Sequence, residues 1–357
     1  MRQGEQRWKP RLRPAFWLLP VLVAGFFIGR GFEALRPAAG VELTSRSEFL
    51  LDTLVTLRLP AGPESEQLLE EALAEVRRLD QLASAYRPES EVARINQAAG
   101  RRPVAVSPEI LAIVQRGLEY SLYTGGRFDL TIGPVVRAWD IGGSHPHVPA
   151  PGELRRAVAL VSFRDVEVNA RRGTIFLRRP GMALDLGAAA KGFIAERVRE
   201  LLAQRGVRHA LIDLGGNIAT LGPRPDGRPW HIAIRHPRRS EEYLGYLDLA
   251  GEAVATAGDY ERFFEEGGRR YHHIFNPETG YPASGVWSAT AVSPSAFEAD
   301  LLSTAIFLLG PERGLALAHR LGAQAVVMDE QGRVWASRAL QGRLVVTAVP
   351  PAEVRWR

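Results

Sequence analysis

Ten residues near the middle of the chain, Leu184-Asp185-Leu186-Gly187-Ala188-Ala189-Ala190-Lys191-Gly192-Phe193, constrain it more than any other stretch. An apolar run from Met182 to Leu186 is interrupted by one acid and passes through small residues. It meets a lysine where a helical pattern begins, with Ile194, Val198, Leu201 and Leu202 on one face. The pattern predicts a strand that turns tightly into a helix. Such a helix opening leaves backbone N–H groups without intrahelical partners, a natural place for an anion. Of the 45 basic residues only Lys9 and Lys191 are lysine. Nearly everywhere else the chain uses the wide planar guanidinium; here it keeps a compact point charge on a flexible stem.

The N-terminus is of another kind. Pro14 to Gly29 read PAFWLLPVLVAGFFIG, without a charge, behind Arg2, Arg7, Lys9, Arg11 and Arg13. The expected organisation is a basic cytoplasmic tail (1–14), a transmembrane anchor or signal (15–30), a linker (31–43) and one catalytic body (44–350). A cleaved secretory signal is the alternative, but no good small-x-small cleavage site follows. The expected location is therefore the inner membrane, with the body periplasmic. Much of the formal charge of +5 sits in the tail, so the body is near neutral and no nucleic-acid partner is expected. The absence of cysteine excludes disulfides and a lipid-modified cysteine.

Within the body, Glu42 to Leu59 alternates as a strand or hairpin. A helix with Leu69, Leu73, Val76 and Leu79 on one face follows, closed by the polar loop Ser84–Glu91. Ser107-Pro108-Glu109 opens another helix, which Gly125-Gly126 ends. Gly126 to Pro134 reads as a loop, Val166 to Leu177 as a hairpin, and Ala210 to Leu214 as a strand stopping at paired glycines. That strand resembles the central stretch in form, as an internal repeat or as two strands meeting one site. Thr256–Arg262 and His272–Gly280 read as polar loops, and Ala299–Leu309 as an apolar helix. Strands come in twos and threes between helices, so the expected fold is mixed α+β with largely antiparallel sheets, not a doubly wound one.

Asp300 and Thr304 lie one turn apart on that apolar helix. A carboxylate in such surroundings is costly unless it is paired or bound to metal. An acid oxygen beside a hydroxyl suits a hard cation such as Mg²⁺; a structural Asp capping a loop is the bland alternative. His145 and His147 stand in a Gly/Pro loop without a third ligand, which argues against a metal there. No phosphate loop GxxxxGK[ST], no GxGxxG, no zinc spacing and no GxSxG elbow is present, which disfavours the common nucleotide-binding and hydrolase classes.

Seven ordered segments together resemble the ApbE family of FAD:protein FMN transferases. They are Ser84-x-Tyr86 with Ser90-Glu91 and Asn96; Phe128-Asp129-x-Thr131-x-Gly133-Pro134; Leu184–Gly187 with Lys191-Gly192; Asp213-x-Gly215-Gly216-Asn217; Gly258-Asp259-Tyr260-x-Arg262; His273-Ile274-x-x-Pro277-x-Thr279-Gly280; and Ala299-Asp300 with Thr304. The resemblance spans about Glu48 to Leu309. It departs where the family often has Met-Gly-Thr and this chain has Leu51-Asp52-Thr53, at Asn276-Pro277, at Thr256-Ala257-Gly258, and at Gly187-Ala188.

The resemblance implies an ApbE-like fold and Mg²⁺-dependent transfer of FMN from FAD to a Thr or Ser hydroxyl of a partner flavoprotein, with AMP leaving. It implies a metal held by Asp300, Thr304 and the carbonyl of Ala188. It implies an FAD site lined by Leu51, Tyr86, Gly126, Phe128, Asp129, Asp185, Lys191 and Ile274. His273 is the candidate base, with Asp259 in reserve, and Lys191 is expected to add positive charge at the phosphates. Two alternatives use the same residues: an FAD pyrophosphatase, and a non-catalytic flavin-binding protein at the membrane.

Overall fold

The computed structural model describes residues 42–350 and 353–357. The expected tail, anchor and linker up to residue 41 lie outside the described residues. No helix among the described residues is long and apolar enough to cross a membrane.

Strands β1 (Leu43–Leu50) and β2 (Thr53–Pro60) form the hairpin that their alternation predicts. Helix α1 (Ser65–Ala83) buries Leu69, Leu73, Val76 and Leu79 on the expected face. The short α2 (Glu91–Gln97) is marked in the sequence only by its cap, where Ser90 Oγ accepts the Ala93 N–H at 2.9 Å. After β3 (Val104–Ala105) comes α3 (Pro108–Tyr123), capped by Ser107 as expected. Two short helices, α4 (Gly133–Trp139) and α5 (Pro151–Val158), follow, and α4 takes up the end of the segment expected as a loop. Strands β4 (Val166–Asn169) and β5 (Thr174–Leu177) make the expected hairpin.

Helix α6 (Ala190–Gln204) precedes β6 (Ala210–Leu214), β7 (Ile218–Leu221), β8 (Trp230–Arg235), β9 (Tyr243–Leu249) and β10 (Ala253–Gly258). The chain continues through β11 (Phe263–Glu266), β12 (Arg269–His272), β13 (Val286–Ser293), α7 (Ala296–Leu309), α8 (Pro311–Arg320), β14 (Gln324–Asp329), β15 (Val334–Ala336), β16 (Leu344–Val346) and β17 (Arg355–Trp356). The main sheet of the described residues runs β1-β2-β6-β7-β10-β13-β14-β15-β17. Its neighbours are antiparallel except β15 and β17. This is the mixed, largely antiparallel α+β architecture expected.

The period of two along each strand sorts residues between two cores. Ala253, Ala255, Ala257, Ala289, Ala291 and Ala325 share one core with Leu69, Leu73, Ile194, Val198, Leu301 and Leu302 of the helices. Val254, Val292, Val326 and Met328 share the other with Trp230, Ile232, Leu247 and Leu249 of a small sheet ordered β16-β9-β8. The alanine side of the main sheet presents little bulk, so α7 lies close over it. A third cluster gathers Val135, Trp139, Leu154 and Phe275, with Trp139 Nε1–H donating to the Gly280 carbonyl at 2.7 Å.

Three expectations are corrected. Met182–Leu186 is not a sheet strand: it is an extended segment with one isolated parallel bridge, Ala183 to Ile132. Its apolar content reflects burial between loops and helices, which hydrophobicity alone does not distinguish from a strand. Thr256-Ala257-Gly258 completes β10 in place of a loop, because all three residues pair with Thr290, Ala289 and Ser288 of β13. The ordered body also passes the expected limit at residue 350, since β17 pairs with β15.

Candidate active site

Helices α6 and α7 cross at the position the sequence marks with Lys191-Gly192 and Asp300. Gly192 N–H donates to Asp300 Oδ2 at 2.7 Å. A Cβ on Gly192 would meet the Ala296 carbonyl oxygen and Asp300 Cβ, each at 2.4 Å, so only glycine allows this approach. Asp300 is 4 % exposed, and burial pushes its carboxyl up. The charge of Lys191 and the Gly192 N–H act against that push. Thr304 stands on the same face, one turn on, and its hydroxyl makes no hydrogen bond among the described residues.

Asp300, Thr304, Lys191 and Ala188 line one cavity of about 240 Å³. Its wall also holds the other residues expected to bind a ligand, apart from Gly126: Leu51, Tyr86, Phe128, Asp129, Asp185 and Ile274, with His273 among them. Among the described residues there is no cluster of three His, Cys, Asp or Glu suited to a metal. The donors present are one carboxylate, one hydroxyl and the nearby backbone of Ala188. That set fits a hard cation that keeps most of its water or shares phosphate oxygens, as Mg²⁺ does.

The central segment is held from both sides. Asn96 on α2 works as a substitute strand: its Oδ1 accepts the Leu184 N–H at 2.7 Å, and its Nδ2 donates to the Leu184 carbonyl at 3.0 Å. On the other side Asp185 N–H donates to the Leu130 carbonyl at 2.8 Å. Asp185 is thereby delivered to the cavity with one oxygen accepting the Gly187 N–H at 2.8 Å. Burial pushes its carboxyl up, against the pull of that N–H and of Arg262. Helix α6 then opens at Ala189 without a side-chain cap.

Asp129 plays a more inward part than expected. Its Oδ1 accepts from Thr131 N–H and Oγ1, and its Oδ2 from Phe163 N–H, at 2.7 to 2.8 Å. The carboxylate braces its own loop. Gly126 carries a φ of 85° at the start of that loop. Leu51 and Asp52, the tip of the first hairpin, both have φ of 56°, a type I′ turn made without glycine. Two such residues store strain of about 1–2 kcal/mol each at the cavity wall. Tyr86 lines the cavity and is 68 % exposed.

The paired histidines divide. His272 Nε2 bonds the Ala283 carbonyl at 2.8 Å, and its Nδ1 receives the Ile274 N–H at 3.3 Å; it is buried and structural. His273 faces the cavity, with Nδ1 bonded to the Arg262 carbonyl at 3.2 Å. A carbonyl only accepts, so Nδ1 carries the proton and the Nε2 lone pair is free. Burial, with help from Arg262, pushes the ring down to about 3.

Asp259, the reserve base, is corrected. It does not line the cavity, and Arg238 holds both its oxygens, at 2.7 and 2.5 Å. Arg238 in turn lies over the Trp287 ring at 4.3 Å. Nothing in the local sequence separates Asp259 from Asp185, because the partner that occupies it is 21 residues away. Asn217 and Arg262 line the cavity as well, without a role read from the sequence beyond their place in the motifs.

Known proteins share this architecture. The profile of the ApbE family matches residues 51–328. A Klebsiella pneumoniae protein named FAD:protein FMN transferase is 38% identical over 274 residues, covering 76% of this chain and 84% of its own. A Treponema pallidum protein of the same name is 36% identical over 351 residues, covering 93% and 96%. Among solved structures, the ApbE protein of Thermotoga maritima superposes with a TM-score of 0.79 at 29% identity, covering 85% of this chain and 99% of its own. The flavin transferase ApbE from Vibrio cholerae does so at 0.77 and 28%, covering 85% and 100%.

Two outcomes are expected. Asn96→Ala removes both bonds to Leu184 and leaves a backbone N–H and carbonyl wanting partners, so it should cost about 1–3 kcal/mol in urea unfolding. Asn96→Asp, which keeps the acceptor and sets an oxygen against the Leu184 carbonyl, should cost at least as much; wild-type stability in both would show the clamp to be idle. For His273, the folded value lies below the ordinary 6.5. Between the two the unfolded chain binds more protons, so the stability this residue contributes is present above 6.5 and lost as pH falls. A His273→Asn variant should therefore lose less stability than wild type between roughly pH 7 and pH 4, measured by denaturant melts at each pH. Equal losses would contradict this.

Proposed function

The chain belongs to the ApbE family and is an enzyme of the FAD:protein FMN transferase type, and we propose that it moves FMN from FAD onto a Thr or Ser hydroxyl of a partner flavoprotein, with Mg²⁺ required and AMP leaving. The observation that carries this reading is the gathering of Asp300, Thr304, Lys191, Asp185 and His273 in one cavity wall. These residues come from three separate parts of the chain.

FAD is a diphosphate ester, and cleaving it needs charge neutralised on the phosphates, an aligned hydroxyl and a stable leaving group. Asp300, Thr304 and the Ala188 carbonyl would hold the cation. Mg²⁺ bound there would neutralise phosphate oxygens and polarise the phosphorus. Lys191, at the uncapped opening of α6, adds a second positive charge beside the diphosphate. Tyr86, Leu51, Phe128 and Ile274 in the cavity wall would offer apolar surface to the flavin. In the transfer, the acceptor's hydroxyl oxygen bonds to the phosphorus on the FMN side. The bond from that phosphorus to the AMP oxygen breaks, and the hydroxyl proton passes to His273 Nε2. Asp259 has no part, since Arg238 occupies it.

We also propose that residues 15–30 anchor the chain in the inner membrane with the body periplasmic. The support is the uncharged run behind the basic tail.

The test uses full-length purified protein with FAD, Mg²⁺ and an acceptor domain. Flavin fluorescence should stay with the denatured acceptor on a gel, and one AMP should appear per flavin transferred. Asp300→Ala should lower the rate by about 10²-fold or more, the usual scale for removing a group that stabilises developing charge. AMP release without acceptor labelling would point to a pyrophosphatase, and FAD retained without AMP to a passive binder; either contradicts the proposal.

A further inference from the structure

The motif Asp213-x-Gly215-Gly216-Asn217 has a built geometry that the transfer reaction described above does not use. Strand β6 reverses into β7 through Gly215 and Gly216, whose φ values of 68° and 92° favour glycine. A Cβ on Gly215 would meet Thr53 Oγ1 at 2.1 Å. Asp213 Oδ1 accepts the Gly216 N–H at 2.9 Å, and the Leu214 N–H donates to the Asn217 carbonyl at 3.0 Å. The turn is thus closed by backbone groups and Asp213. The Asn217 side chain takes no part in it.

That side chain lies in the cavity wall, and the residue is only 4 % exposed. Its Nδ2 is buried without a hydrogen-bond partner. Buried donors left so are rare in folded proteins and call for an explanation. The amide stands near enough to the Asp300 carboxylate to favour its charged form, yet is not bonded to it in the arrangement seen. Asp300 has one N–H donor in place, from Gly192, and that bond alone fixes one oxygen but not the plane of the group.

We propose that Asn217 is a positioning residue for Asp300: in the cation-loaded protein its Nδ2 donates to the Asp300 carboxylate and, with Gly192 N–H, turns the remaining lone pairs toward the cavity. The inference rests on the reading of Asp300 as a cation ligand. Partners of a ligating carboxylate commonly change metal affinity 10- to 100-fold when removed.

The test is Mg²⁺ titration of FAD-loaded full-length protein by calorimetry, with Asn217→Ala and with Asn217→Leu, which keeps the volume. Both variants should bind Mg²⁺ about 10-fold more weakly or worse, while FAD retention at saturating Mg²⁺ stays near wild type. In the Asp300→Asn background the Asn217→Ala change should weaken Mg²⁺ binding no further, because the group it acts through is gone. Wild-type Mg²⁺ affinity in the folded fraction of either variant overturns the inference, even where melting temperature falls. Additive losses in the double variant overturn it too. Wild-type protein that binds FAD but no Mg²⁺ brings down the cation reading and this inference together, whereas failure confined to the variants' predicted pattern leaves the transferase reading standing.

Discussion

A carboxylate buried where water is scarce is the constraint on which the cavity depends. Asp300 lies on an apolar helix, and an ionised acid there would cost several kcal/mol if nothing faced it. Three things face it: the Gly192 N–H, the Lys191 charge and the Asn217 amide. The first needs two helices to approach closer than any side chain on residue 192 would allow. The second puts one of only two lysines in the chain at that spot. Even so, burial still raises the carboxyl, so the protein alone does not fully balance the charge. Under the proposed function, a divalent cation at Asp300 and Thr304 would complete that balance and bring the charge that a diphosphate requires.

The frame serves this contact. Alanines on one face of β10, β13 and β14 let α7 settle low on the sheet, and the larger residues of the same strands fill the opposite core. Much of the remaining cavity wall comes from segments outside the regular elements. The Asp185 segment is clamped by an asparagine side chain, the Asp129 loop by its own carboxylate, and the first hairpin by a strained two-residue tip. Site residues on irregular backbone are thus held by side-chain bonds in place of a sheet ladder.

Much of this was legible in the sequence. The caps at Ser107, the face of α1 and the opening of α6 follow local rules, and the structure keeps them. The one-turn spacing of Asp300 and Thr304 also survived, because helical geometry fixes it. What local rules cannot supply is the partner. Met182–Leu186 reads as a strand because it is apolar, but whether a strand lies beside it depends on Asn96, 88 residues away. Asp259 reads as a free acid until Arg238 is brought to it. The two histidines of the pair are alike in sequence and are separated only by which way each ring turns.

The proposed chemistry needs a cation held by Asp300 and Thr304 beside Lys191. Crystals soaked with Mn²⁺ and ADP test this most directly, through anomalous scattering. The expected result is a peak within about 2.0–2.3 Å of an Asp300 oxygen, Thr304 Oγ1 and the Ala188 carbonyl, a hard-cation ligand distance, with diphosphate oxygens completing the shell near Lys191. A diphosphate bound elsewhere, or manganese found away from Asp300, would contradict it.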